Sequence, residues 1–241
     1  MLASSRTAPY QNKDTIEACP RNDCIEQLET QDARYQHPLP AGYRSLANPS
    51  PLGLLSFATG IFLLAMLGVH TRSIKQPNMA VGVLLCFGGV CQFLSGIMEF
   101  VSGNKFGATV FPSYGAFNLS FAMIFLPGTG IQAAYTSANG DLDSTFYDAV
   151  GVYCWAWFIL TVIYTIAAVR SSWVLFMTLL LLDVELLLLA VGYMLNSDQV
   201  LVAGNSVGFA VAFCAYWAGC AALWSDLTPL DIRTFPMYGD K

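Results

Sequence analysis

Apolar and polar residues fall along this chain in long blocks rather than at a short period. A polar stretch reaches residue 47, and six apolar runs follow at about 52–69, 79–101, 111–126, 146–169, 173–195 and 200–223. A helix of roughly 17–25 apolar residues crosses a bilayer, and in lipid a helix satisfies its own backbone N–H and C=O groups. The blocks therefore predict an all-α protein of six transmembrane helices. The third run is the shortest, and residues 107–110 would lengthen it. Three regions result: a polar tail over 1–47, a six-helix transmembrane domain over 48–225 and a short C-terminal tail over 226–241.

The turn into the first run reads Asn48-Pro49-Ser50-Pro51-Leu52-Gly53-Leu54. Asn suits an N-cap, and proline is tolerated in a first turn whose N–H groups lack partners. Such a helix start carries partial positive charge and free donors, so it can attract an anion. In the second run, glycines 82, 89, 96 and 103 repeat every seven residues. This stripe predicts close approach of another helix. Gln92 and Glu99 form a neighbouring stripe, polar where lipid makes unpaired polar groups costly, and are candidates for either helix contact or transport. In the fifth run Asp183 and Glu185 stand two residues apart, ~200° around a helix, so both cannot face one narrow pore.

Composition agrees with the blocks: 55% of the 241 residues are hydrophobic and 11% charged, against about 25% charged in soluble domains. The tail to residue 47 holds six of the sixteen acids and five of the eleven bases, shows no signal-peptide pattern and has no apparent fold beyond a possible short helix near 25–34. The net charge of −5 gives no basic surface for nucleic acid. Seven cysteines without a CxxC pair or nearby histidine argue against a metal, and no nucleophile–base set points to an enzyme. No cofactor is implied. With six spans both ends share one side, which carries Arg34, Arg44, Lys105, Arg170 and Arg233 against Arg72 and Lys75 opposite. The positive-inside rule then makes the termini cytoplasmic.

The proline-rich turn resembles the signature of the acetate uptake transporter family of bacterial succinate–acetate permeases and fungal acetate permeases. A second block strengthens the likeness: Gly88-Gly89-Val90-Cys91-Gln92-Phe93, Gly96, Met98-Glu99-Phe100, Gly103-Asn104-Lys105-Phe106-Gly107 and Phe111-Pro112-Ser113-Tyr114-Gly115-Ala116-Phe117. The resemblance covers about residues 47–225. It implies a homo-hexamer in the plasma membrane with one pore per protomer, similar in architecture to hexameric urea channels, carrying acetate and similar small monocarboxylates with protons. It also implies a pore constriction at Phe57, Tyr114 and Leu182, each of which could otherwise be ordinary helix packing.

Asn48, Pro49 and Gly53 then become the expected pore entrance, with Phe57 one turn beyond Gly53. Asn118 replaces the bulky aromatic usual in the family and shares a face with Tyr114, so it is expected beside the pore. Glu185 lies about 60° from Leu182, against about 100° the other way for Asp183. Glu185 is the better proton-relay candidate, and Asp183 is expected at a helix or subunit contact. Two other functions fit the sequence: a membrane sensor responding to acetate or ammonia, and a channel for neutral solutes such as urea.

Overall fold

The computed structural model describes residues 47–74, 78–137, 139–225, 227–230 and 232–237, all within one compact unit, Ala47–Lys241. Of the expected tail over 1–47, residues 1–46 with the short helix lie outside the described residues. Six helices among the described residues are long and apolar enough to cross a membrane: α1 Ser50–Gly68, α2 Asn78–Ser102, α3 Lys105–Phe125, α4 Ser144–Ala168, α5 Trp173–Met194 and α6 Asp198–Trp224. Their outward faces remain apolar, with Phe100 and Val101 of α2 65% and 60% exposed. A protein in water rarely leaves such faces open; facing lipid or another apolar surface they are stable.

Local chemistry sets the helix ends. Asn104 and Ser172 accept hydrogen bonds from the backbone N–H groups of Gly107 and Leu175, at 3.2 and 3.3 Å, and start α3 and α5. Asp143 does the same for α4 through Thr145 N–H at 3.1 Å. Gly103 ends α2 with a φ of +80°, a conformation that favours glycine. The cap of α1 is Pro49, not Asn48; the Asn48 side chain instead accepts from the backbone N–H of Ser50 at 3.0 Å, one residue further along.

Two helices depart from the block reading. α3 begins six residues before Phe111 and runs through Pro112 without a break. α2 contains a stretch of wider, π-type turns over Leu84–Cys91, around the Gly88-Gly89 pair. Such turns free a carbonyl from the ordinary helical ladder, and the Gly88 carbonyl accepts from Asn118 Nδ2 at 2.9 Å.

The helices pack in the cyclic order α1, α6, α5, α4, α3, α2, with α2 returning to α1. Between α2 and α3 the contact is backbone-close: a Cβ on Gly96 would collide with the Pro112 ring, and one on Gly115 would lie 2.9 Å from Phe93 N. Gly89 is likewise closed off by Leu119, whereas Gly82 and Gly103 face open space. The glycine stripe thus serves as a helix contact at its two central positions. Between α3 and α4 large rings hold the helices apart; Phe117 packs on Tyr153 and Trp157 with centroids 5.8 and 5.0 Å away.

The loop between α3 and α4 is held by paired backbone, with Ser137 N–H donating to Asp141 O and Asp143 N–H to Tyr135 O. The C-terminal tail is not free over 232–237. The carbonyls of Thr234 and Phe235 accept from the backbone N–H groups of Val174 and Trp173, supplying acceptors that the first turn of α5 lacks internally. Trp217 Nε1 donates to Arg233 O, tying the same segment to α6.

Candidate functional site

Phe57 stands seven residues into α1, and Tyr114 and Leu182 nine residues into α3 and α5, or ~10–14 Å from the same end of the bundle. Helices starting at one level thus bring three distant residues to one depth. All three are buried in a single apolar cluster. The rings of Phe57 and Tyr114 are 5.5 Å apart, and Tyr164 meets Tyr114 edge-on at 5.9 Å. The Tyr114 hydroxyl donates to Thr161 Oγ1 at 3.0 Å, which fixes the ring across the α3–α4 gap. These side chains pack together as a layer, here termed the collar, and on the side of the chain ends the same cluster continues at Val110, Leu179 and Ala215.

A cavity of about 570 Å³ opens on the other side of the collar. Phe57, Tyr114 and Leu182 line its floor; Gly68, His70, Asn78, Gln132 and Asp198 stand at the helix ends and loops of its mouth, and Asn205 lines it from about two turns into α6. Nine lining residues are aromatic, so the wall is apolar with polarisable ring faces. Among the described residues no Lys or Arg lines it, and its ionisable carboxyl groups are Glu185 and Asp198.

Glu185, three residues beyond Leu182 on α5, is 3% exposed to solvent, and its Oε2 has no hydrogen-bond partner. Its other oxygen lies against Gly208 of α6, where a Cβ would come within 2.7 Å. Asp183 points elsewhere: Thr165 of α4 donates to its Oδ2 at 2.7 Å. The ~200° between the two carboxyl groups thus separates a cavity group from a helix-contact group.

The remaining predicted residues do not line the cavity. Glu99 is 1% exposed and accepts hydrogen bonds from the hydroxyls of Ser50 and Ser102. Ser95 Oγ donates to the Pro49 carbonyl at 2.7 Å, and a Cβ on Gly53 would meet Phe111 at 2.7 Å. The proline-rich turn is therefore clasped by α2 and α3, while Asn48 stays exposed on the far side of the collar. Asn118 turns away from Tyr114's surroundings: its Nδ2 donates to Gly88 O and, at 3.0 Å, to Gln92 Oε1. Four residues on a helix amount to a ~40° offset, enough to move Asn118 from the α4 side to the α2 side. Gln92 and Glu99 belong to this helix junction.

Sequence reasoning missed five contributors. Thr161 orients the collar tyrosine, Trp157 and Tyr193 form cavity wall, and the loop residues Gln132 and Leu142 reach the mouth. Thr161 and Trp157 are four apart on α4 and share its inward face. The loop residues carry no comparable pattern.

Comparison with known proteins places these features. The GPR1/FUN34/yaaH family description matches residues 32–238. Acetate permease A of Emericella nidulans is 38% identical over 203 residues, covering 80% of this chain and 68% of that protein. The succinate-acetate/proton symporter SatP of Escherichia coli is 31% identical over 179 residues, covering 74% and 83% respectively. A solved structure, that of the bacterial acetate channel SatP, superposes with a TM-score of 0.67 at 26% identity, covering 78% of this chain and 99% of that one.

Proposed function

Because the chain belongs to the GPR1/FUN34/yaaH family, we propose that its cavity and collar form the path by which acetate and similar small monocarboxylates cross the membrane together with protons. It acts as an integral membrane transporter, not as an enzyme. The observation that carries the assignment of the path is the meeting of Phe57, Tyr114 and Leu182 at the floor of a cavity open at its other end. An apolar collar passes a small neutral acid and opposes larger or doubly charged species, whose desolvation costs more. The cavity wall covers the methyl group, and the Tyr114 hydroxyl is the polar atom at the floor.

Glu185, beside the collar and inside the cavity, is the group by which a proton accompanies the acid. The other titratable groups lining the cavity are Cys154 and Tyr147 of α4, Tyr193 of α5, Tyr114 of α3, Asp198 of α6 and His70 after α1. We place the protomer in a plasma-membrane homo-hexamer with one pore each and with cytoplasmic termini. The lysine and arginine distribution supports that orientation, and the apolar outward face of α2 offers a surface for lipid or a second protomer. Residues 48–225 then act as the transport domain. The helix junction of Asn48, Pro49, Gly53, Gln92, Glu99 and Asn118 holds α1 in register with the collar.

Uptake of labelled acetate, lactate and succinate into proteoliposomes under an imposed pH gradient tests this reading. Acetate uptake that rises with inward acidity is expected. Phe57→Ala and Tyr114→Ala are expected to admit lactate, because each removes a ring from the collar. Unaltered selectivity in both variants removes the collar from the path. PH dependence that is identical in Glu185→Gln and the parent removes Glu185 from proton coupling.

A further inference from the structure

We infer that the cavity also takes small primary carboxamides, acetamide being the simplest, and that Glu185 recognises them. This rests on reading the cavity as the transport path. Glu185 Oε2 is buried without a donor, its Oε1 lies against Gly208, and the side chain is one of those lining the cavity. A buried acceptor left unpaired is costly, so the favoured ligand is one that brings it an N–H or O–H.

The cavity constrains the ligand further. Among the described lining residues there is no Lys or Arg, and His70 stands only at the mouth, so a second negative charge beside an ionised Glu185 would have no cation next to it. An acetate anion brings charge and no donor. Acetic acid brings an O–H, and acetamide brings N–H groups on the same planar, two-carbon frame without first capturing a proton. Acetone has that frame too, but it brings no donor to the unpaired oxygen of Glu185. The apolar collar favours any of the neutral three over the anion. Glu185 therefore selects for a donor, and a carboxamide meets the requirement as an undissociated acid does.

The test uses the full chain in proteoliposomes. Uptake of labelled acetamide is measured, and acetamide and acetone are compared as inhibitors of acetate uptake. Saturable acetamide uptake is expected, with half-inhibition by acetamide at least about tenfold below that by acetone, since a site built for a donor rejects the isostere lacking one. Glu185→Leu is expected to erase the difference between the two inhibitors. Glu185→Gln keeps an acceptor oxygen at the position and is expected to retain it. Binding is followed separately by intrinsic tryptophan fluorescence, Trp157 being part of the wall.

Acetate uptake that acetamide inhibits no better than acetone overturns the inference and leaves the acetate path standing. Equal acetamide discrimination in Glu185→Leu also overturns it. Acetamide binding that depends on Glu185 in a protein without acetate uptake supports the carboxamide site and refutes the acetate path instead.

Discussion

Glu99 and Glu185 are carboxyl groups buried in the same bundle to almost the same extent, 1% and 3% exposed. Their surroundings differ in one respect. Glu99 is met by two serine hydroxyls at a junction of α1, α2 and α3, where glycines let the helices touch. Glu185, which lines a cavity, has an oxygen without a hydrogen-bond partner among the described residues. Burial alone assigns them the same role. Counting their partners separates a group tied into a helix junction from one left with an unpaired oxygen beside a cavity.

Substitutions can break that distinction. The largest effect is expected at the junction's closest approach: Gly96→Leu forces a side chain into Pro112 and costs about 3 kcal/mol or more, read as loss of folded protein in detergent. Glu99→Ala leaves the Ser50 hydroxyl without its acceptor, Ser102 keeping the Glu99 backbone carbonyl, and empties a buried side-chain volume; it is expected to cost about 2–4 kcal/mol in thermal unfolding. Glu185→Leu removes an unpaired buried polar group and is expected to leave stability within about 1 kcal/mol of the parent or above it. Equal losses at Glu99 and Glu185 would collapse the comparison. Ser50→Ala, deleting one donor to Glu99, is expected to cost about 1 kcal/mol.

The smallest effect belongs to an exposed carboxyl group outside the membrane. Hydrogen bonds from the Thr145 backbone and neighbouring groups hold the Asp143 carboxyl below its usual range. Its folded-state value is depressed, so its capping contribution is complete above the unfolded value, ~3.9, and fades as pH falls through the lower folded value. Asp143→Asn, which can still cap α4, is expected to flatten that acid-side change in a pH series of unfolding midpoints.

The six spans were legible because long apolar blocks encode a bilayer crossing directly. The start of α3 was hidden: Gly107 and Pro112 look like breakers, yet Asn104 caps the helix before them and Gly96 makes room for the proline ring. The C-terminal strap left no signature, since backbone carbonyls make its main bonds whatever the side chains. At the site, the family resemblance singled out Phe57, Tyr114 and Leu182, and helix lengths explain why they meet in one apolar cluster. Asn118 misled because sharing a helix face with Tyr114 says nothing of what waits across a ~40° turn. There the Gly88 carbonyl, released by the wide turns of α2, takes the amide.

Those wide turns make α2 a phase shifter. Its outer part, Asn78–Val83, and its inner part, Gln92–Ser102, each address different neighbours, and the stretch between them sets the angle at which one follows the other. Removing a single residue there would rotate the inner part by ~100° relative to the outer. Ser95, Gly96 and Glu99 would then leave α1 and α3 together, with no change in their own identity. Length within 84–91 is thus as much a part of the sequence's instruction as any side chain it contains.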